Sequence, residues 1–178
     1  MLTENQKEYL LKIPADKTVK IFPYDPKISS IVQDIKDKIV NAGINLEVKF
    51  MGASALGISG QGDIDLYILC PEKDFQAYLP RLEEIFGPKV RGITIIKWQL
   101  EKDGHEIEIY LTDPNTPSMQ EQIKVFEILK NDPLLLKEYE SIKSSADGQS
   151  FREYMKRKYE FFNRILKLST EPKVWHNN

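Results

Sequence analysis

Residues 50–69, FMGASALGISGQGDIDLYIL, decide how the chain is interpreted. They begin at the end of an alternating apolar segment, 46–50, and finish with a second, mostly apolar segment, 64–69. Both segments have the pattern that is typical of β-strands. Between them lies a loop, 52–62, that is rich in glycine and contains few large side chains. The stretch therefore predicts a half-buried strand, a glycine-rich loop and a buried strand in direct succession.

Two aspartates, Asp63 and Asp65, flank Ile64 at the start of the second predicted strand. Because side chains alternate along a strand, both carboxylates are expected on one face, about 7 Å apart along the chain. Two like charges on one face repel each other, and a shared divalent cation would offset that repulsion. The alternative is a pair of solvated carboxylates at a strand end.

The residue counts limit which metal ion this pair could share. The chain has one cysteine and two histidines, which are too few for a thiolate or a three-histidine zinc site. Metal chemistry would therefore depend on carboxylates, which favour hard cations. The expected ion is Mg²⁺ or Mn²⁺.

A later segment, HEIEIYL at 105–111, places Glu106 and Glu108 on one face and isoleucines on the other. The Asp-Gly pair before it predicts a hairpin with the preceding apolar segment. If this strand pairs with the strand that carries the two aspartates, a third carboxylate joins them. The alternative for the two glutamates is the polar face of an exposed hairpin.

The remaining pattern predicts where helices lie. The capping-box signature of Thr3 and Gln6 predicts a helix at about 4–12, and apolar residues at helical spacing from Ile28 to Ile39 predict a second helix that Gly43 ends. The segment DFQAYLPRLEEIFG predicts one helix or two helical pieces, with Pro80 as the expected break. The stretch VKIFPY at 19–24 is predicted to be extended. From about residue 118 the pattern is helical, with breaks at 131–133 and 144–150.

These elements predict an α+β protein, a single two-layer α/β domain over residues 1–178. Its core, about 19–117, is expected to be a mixed, twisted sheet with helices on one face, followed by a helical extension at about 118–170. The chain carries 25 Lys and Arg against 27 Asp and Glu, a net charge of −2. This balance counts against a protein that is held to nucleic acid or membrane by bulk charge.

Two features of the sequence bear on where the protein works. No apolar run approaches the roughly 18 residues that span a bilayer, so no membrane partner is expected. The N-terminus, MLTENQKEYLLKIP, lacks a basic start followed by an apolar stretch. We therefore expect a cytoplasmic protein.

The combination of a Gly/Ser loop, an Asp-x-Asp strand and a later acid between apolar residues resembles the nucleotidyltransferase superfamily, and more specifically the GrpB family. VKIFPYDP at 19–26 resembles the family's opening segment, and GASALGISGQGDIDLYI at 52–68 resembles its glycine-rich loop and strand. FEILKNDPLLLKEYESIK at 126–143 and YMKRKYEFF at 154–162 resemble its helical tail. The resemblance covers most of the chain from about residue 19.

The resemblance implies a nucleotidyltransferase-like fold and a Mg²⁺-dependent reaction. A nucleoside monophosphate would move from a nucleoside triphosphate to an unknown acceptor, either a small molecule or a macromolecule. Asp63, Asp65 and Glu108 are the implied catalytic acids and metal ligands. Glu106 remains open as the alternative third ligand.

The implied nucleotide contacts come from the loop and the tail. Gly52 and Ser54 would hold phosphate oxygens. In the basic segment 151–167, one helical stripe consists of apolar and aromatic residues, namely Phe151, Tyr154, Met155, Phe162 and Ile165. Lys158 falls inside this stripe, where its side chain either follows the apolar surface to solvent or reaches the triphosphate.

Departures from the family pattern keep two other functions open. The family usually has Gly-Ser-Thr where this chain has Gly52-Ala53-Ser54, a His-x-His strand where it has Glu106-x-Glu108, and an arginine at Phe126. The altered loop and the missing arginine favour a catalytically inactive nucleotide- or partner-binding module of the same fold, whereas the two glutamates make the chain resemble an enzyme with three carboxylates. The basic aromatic helix also permits a nucleic-acid partner, which the net charge of −2 disfavours.

Overall fold

The computed structural model describes residues 1–170, so His176 lies outside the described residues. The described residues form seven α-helices and one four-stranded mixed sheet. The helices are α1 (Glu4–Lys12), α2 (Ile28–Asn41), α3 (Gly52–Ala55), α4 (Phe75–Phe86), α5 (Pro117–Asn131), α6 (Pro133–Ser144) and α7 (Phe151–Thr170). The strands are β1 (Glu47–Met51), β2 (Ile64–Leu69), β3 (Ile95–Lys102) and β4 (His105–Thr112).

The sheet has the strand order β1-β2-β4-β3. β1 is antiparallel to β2, β2 is parallel to β4, and β4 is antiparallel to β3. Asp103 and Gly104 close the β3–β4 hairpin with φ angles of 53° and 79°. Two positive φ angles in a two-residue loop match the twist of the flanking strands. The predicted hairpin and its pairing beside the Asp-x-Asp strand are confirmed.

One face of the sheet forms the hydrophobic core with α2 and α4. Alternate residues of β2 and β4 point into this core and are buried, namely Ile64, Leu66, Ile68, Ile107, Ile109 and Leu111. The intervening residues are on the opposite face, which we call the polar face. It carries Asp65 and Tyr67 from β2 and Glu108 and Tyr110 from β4.

The expectation of a helix break at Pro80 was wrong, because α4 continues through it from Phe75 to Phe86. The residue costs one backbone hydrogen bond. Apolar residues before and after Pro80 occupy the same buried stripe, namely Phe75, Leu79, Leu82 and Phe86. Continuous burial of this stripe against the sheet keeps the helix in one piece.

The chain forms two compact units. One unit, Phe22–Gln120, contains the sheet with α2, α3 and α4. The other consists of Met1–Ile21 and Glu121–Asn178, of which residues up to 170 are described.

In the second unit, apolar residues of the N-terminal segment pack with the start of α7 in one cluster that includes Leu10, Ile13, Val19, Phe151, Tyr154 and Met155. The predicted extended stretch at 19–24 is not a strand, and Thr18 and Phe22 make only isolated bridges.

Among residues 1–170, the helices all fall short of the length and apolar character that crossing a membrane requires.

Candidate functional site

The polar face brings two of the predicted acids together. Asp65 of β2 and Glu108 of β4 are register partners in a parallel pair. Neighbouring strands lie about 4.8 Å apart, and paired residues project to the same face. Asp63 comes two residues before Asp65, immediately ahead of β2. The later strand does pair with the strand that carries Asp65, and this pairing makes Glu108 the register partner of Asp65. Convergence of the three carboxylates on one ion stays a prediction.

Glu106 has different neighbours from Glu108. It is exposed, its register partner is Glu101 of β3, and the side-chain amide of Gln99 donates a hydrogen bond to it. Among the described residues, no group of three or more His, Cys, Asp or Glu side chains is arranged to hold a metal ion. The choice of Glu108 over Glu106 as the third ligand is a prediction that the register favours.

Glu108 has two close partners that the sequence interpretation missed. The ammonium group of Lys97 on β3 forms an ion pair with Oε1, and the hydroxyl of Tyr110 donates to Oε2. The Lys97 and Glu108 side chains are only 11% and 21% exposed. The register pairs Lys97 with Tyr110, so the lysine reaches Glu108 diagonally. Each oxygen of the Glu108 carboxylate therefore has a positively polarised partner.

Two tyrosines form the next row of the polar face. Tyr67 and Tyr110 are register partners, and their rings stack with centroids 4.9 Å apart and an interplanar angle of 13°. Burial raises the pKa of Tyr67, and the negative charges of Asp65, Glu108 and Asp63 raise it further. Burial also raises the pKa of Tyr110, followed by its hydrogen bond to Glu108. Both phenols are therefore neutral near pH 7.

The glycine-rich loop touches both aspartates. Gly52 begins α3 with a φ angle of +85°, and a Cβ atom there would lie 2.7 Å from Oδ2 of Asp65. The buried hydroxyl of Ser54 donates a 2.7 Å hydrogen bond to the backbone carbonyl of Asp63. The loop thus fixes the backbone before β2 and leaves room for the Asp65 carboxylate. The phosphate contacts of Gly52 and Ser54 stay predictions.

His105 joins the start of β4 to the loop that precedes Asp63. Its Nδ1 lies 2.9 Å from the carbonyl oxygen of Gly62, and its Nε2 lies 3.2 Å from Oδ2 of Asp25. The amide of Lys27 is the main cause that lowers the pKa of the Asp25 carboxyl, and His105 lowers it further. Because each ring nitrogen faces an oxygen atom, His105 links the start of β4 to the segments that contain Asp25 and Gly62.

Lys158 belongs to the other compact unit, on α7. Its side chain is half-buried, and the ammonium group lies 5.5 Å from the centroid of the Phe162 ring. The buried stripe of α7 contains Phe161 in place of the expected Phe162, which is half-buried. The predicted phosphate contact of Lys158 stays a prediction.

Comparisons with known proteins match most of the chain. The family model described as GrpB protein matches residues 18–168. The crystal structure of the conserved protein GrpB from Enterococcus faecalis aligns with a TM-score of 0.61 at 17% identity, over 85% of this chain and 99% of that chain. A cytoplasmic RNA terminal U-transferase aligns with a TM-score of 0.38 at 17% identity, over 76% of this chain and 44% of that chain. No curated protein matches the sequence. The predicted mixed α/β architecture is confirmed by the Enterococcus faecalis structure, which has the same fold.

Proposed function

This chain belongs to the GrpB family, and we propose that it is a nucleotidyltransferase. It would transfer a nucleoside monophosphate from a nucleoside triphosphate to an acceptor that is either a small molecule or a macromolecule. The observation that carries the proposal is the register pairing of Asp65 with Glu108 on neighbouring parallel strands. The close approach of Asp65 to the α-carbon of Gly52 supports it, because the glycine-rich loop and the acids then form one site.

The proposed cofactor is Mg²⁺ or Mn²⁺, held by Asp63, Asp65 and Glu108, with Glu106 as the alternative third ligand. Carboxylate oxygens are the donors that such an ion prefers, and these acids lie on or next to two adjacent strands. Among the described residues they are not arranged around one ion position, so binding the ion would require their side chains to move. When bound, the ion supplies positive charge that neutralises the triphosphate during the displacement.

In the proposed reaction, an acceptor oxygen forms a bond to the α-phosphorus. The bond from that phosphorus to the bridging oxygen breaks, and pyrophosphate leaves. The acceptor proton moves to a carboxylate of the polar face, for which Glu108 and Glu106 are the candidates. Gly52 and the backbone around Ser54 would contact phosphate oxygens, since the Ser54 hydroxyl proton already bonds the Asp63 carbonyl.

A thermal-shift experiment with nucleoside triphosphates tests the proposal. At 100 times its dissociation constant, a ligand adds about 2.7 kcal/mol, which corresponds to roughly 5–10 °C for a protein of this size. The rise should require both nucleotide and Mg²⁺. Asp65→Asn should keep the fold and lose the shift, whereas Asp37→Asn, an exposed acid on α2, should retain it. The proposal fails if no nucleoside triphosphate raises the Tm, or if both variants respond equally.

The proposed nucleotide contact of Lys158 has its own test. We predict that Lys158→Met keeps the stability and lowers ATP affinity about ten- to a hundredfold, since a charged contact to phosphate is worth roughly 1.5–3 kcal/mol. Lys156→Met provides the control, because Lys156 lies on the same helix and is exposed. Calorimetric titration of ATP with Mg²⁺ decides the matter, and equal affinities would remove Lys158 from the site.

The second candidate is a catalytically inactive nucleotide- or partner-binding module. The ion pair of Lys97 with Glu108 favours it, because the ammonium group takes the place that a metal ion would need. The two candidates differ in whether pyrophosphate is released. A module of this kind would bind nucleotide with the expected thermal shift and release no pyrophosphate with any acceptor pool supplied.

A further inference from the structure

Two lysines lie at opposite ends of one row on the polar face. The register aligns Lys49, Tyr67, Tyr110 and Lys97 across the four strands. Each lysine forms an ion pair with a glutamate on the same face. Lys49 bonds Glu47 at 2.9 Å with side chains 28% and 62% exposed, and Lys97 bonds the far less exposed Glu108.

The two ion pairs therefore differ in whether water can compensate a charge that has lost its partner. The Lys49 pair is partly solvated, and water can compensate either charge when the pair opens. The Lys97 pair is largely shielded, so removing one partner leaves the other charge uncompensated. Lys97 accordingly requires an anionic partner wherever its ammonium group lies, and Glu108 is that partner in this structure.

A metal ion bound to Glu108 would compete with this arrangement. Mg²⁺ ligand oxygens lie about 2.1 Å from the ion, and both oxygens of Glu108 already have partners in Lys97 and Tyr110. An ammonium group that stays on the same carboxylate would then lie close to the divalent charge and be repelled.

We propose that Lys97 is a resident counter-ion of the site and that its ion pair with Glu108 and a divalent cation on Glu108 exclude each other. The inference rests on the proposed function. The displaced ammonium group needs a new anion, and the triphosphate supplies one. Divalent cation and nucleotide therefore bind with positive coupling, and each raises the affinity of the other by the same factor.

Mn²⁺ titration, followed by electron paramagnetic resonance with and without ATP, tests this coupling. Wild-type protein should bind Mn²⁺ weakly alone and more tightly with ATP. Lys97→Met should bind Mn²⁺ alone about tenfold or more tightly than wild type and should lose most of the enhancement by ATP. Lys97→Gln, whose amide can still donate to Glu108, should change in the same direction. Lys49→Met is the matched control and should behave as wild type.

The possible outcomes distinguish failure of the proposed role of Lys97 from failure of the proposed function. Mn²⁺ affinity that is equal in wild type and both Lys97 variants overturns the counter-ion while leaving the proposed function intact. Absence of Mn²⁺ binding in every variant, with and without ATP, overturns both. If neither Lys97 variant folds, a crystal structure of the wild-type protein with Mn²⁺ and a non-hydrolysable ATP analogue tests the proposal. Mn²⁺ bound to Glu108 while the Lys97–Glu108 ion pair stays intact would contradict the proposal. A structure in which no Mn²⁺ is bound at Glu108 would contradict it as well.

Discussion

Gly52 shows how one residue in the loop controls the position of a proposed catalytic acid. Its φ angle of +85° places it in a region that disfavours L-residues with a side chain. Oδ2 of Asp65 lies only 2.7 Å from the position that a Cβ atom of residue 52 would take, which is too close for van der Waals contact. Glycine is therefore favoured at this position for two reasons: it tolerates the positive φ angle, and it has no Cβ atom that would displace the Asp65 carboxylate.

We predict that Gly52→Ala lowers the free energy of unfolding by about 2–4 kcal/mol, because backbone strain of about 1–2 kcal/mol adds to displacement of the Asp65 carboxylate. Urea unfolding measures the loss. Gly57→Ala is the matched control, since its φ angle is +68° and nothing lies within 4 Å of a Cβ atom there. Equal losses in the two variants would show that the Asp65 contact has no effect. In an Asp65→Ala background, the difference between them should disappear.

At the same scale, the sequence predicted some neighbours of the site and missed others. Strand alternation and the Asp-Gly turn predicted the hairpin and the face on which Glu108 lies, but the pairing of its strand with the Asp-x-Asp strand was a condition that the sequence left open. Lys97 was missed because its contact is diagonal, which requires the β3–β4 register as well as the facing of each strand. The register was obtainable in principle, since a two-residue turn at 103–104 pairs Lys97 with Tyr110.

Among the elements, α6 begins with both a side-chain N-cap and a proline in its first turn. Asp132 accepts hydrogen bonds from the amides of Leu134 and Leu135, and Pro133 occupies the first turn. The side chain satisfies amides that would otherwise lack a partner within the helix, and the proline needs no such bond.

We predict that Asp132→Ala lowers the free energy of unfolding by about 1 kcal/mol, within the range of about 0.5–2 kcal/mol for such caps. Asp74→Ala is the control, because Asp74 precedes α4 in the same position and makes no capping hydrogen bond. Its effect should stay within about 0.5 kcal/mol. Chemical denaturation of both variants measures the contrast, and a larger loss for Asp74→Ala would contradict this account of the cap.

Short-range sequence signals correctly predicted where most helices begin and end. The capping box of α1 at Thr3 and Gln6, the end of α2 before Gly43 and the breaks between the tail helices all occur as predicted. The prediction failed at Pro80, where burial of a continuous apolar stripe outweighed the local cost of a proline. Tertiary packing is not contained in a single residue's propensity.

At the scale of the whole molecule, the first 21 residues belong to the same compact unit as the C-terminal helices. Side chains link these distant segments: Gln6 bonds Asn163, Arg152 bonds the carbonyl of Ile13, and Asp147 accepts from the amide of Ile21. Sequence patterns of period two or 3.6 describe single elements, so they gave no information about this long-range association.

The stacked tyrosines of the polar face affect the stability of the whole protein at alkaline pH. In the unfolded chain a tyrosine releases its proton near pH 10, whereas burial and nearby acids raise the pKa of Tyr67 and Tyr110 in the folded protein. Above about pH 10 the folded state therefore holds protons that the unfolded state has lost. Its stability must fall as the pH rises.

We predict that wild-type stability falls between about pH 9.5 and about pH 11, with each of the two tyrosines contributing about 1.4 kcal/mol per pH unit above pH 10. Tyr110→Phe removes one ionisable group, so its stability should decline less steeply by about that amount. Phe22→Leu is the control, since Phe22 is a 42% exposed aromatic residue without an ionisable group, and it should keep the wild-type slope. Urea unfolding across this pH range provides the slopes. If the slope of Tyr110→Phe equals that of wild type, the buried phenol of Tyr110 does not hold its proton as the structure requires.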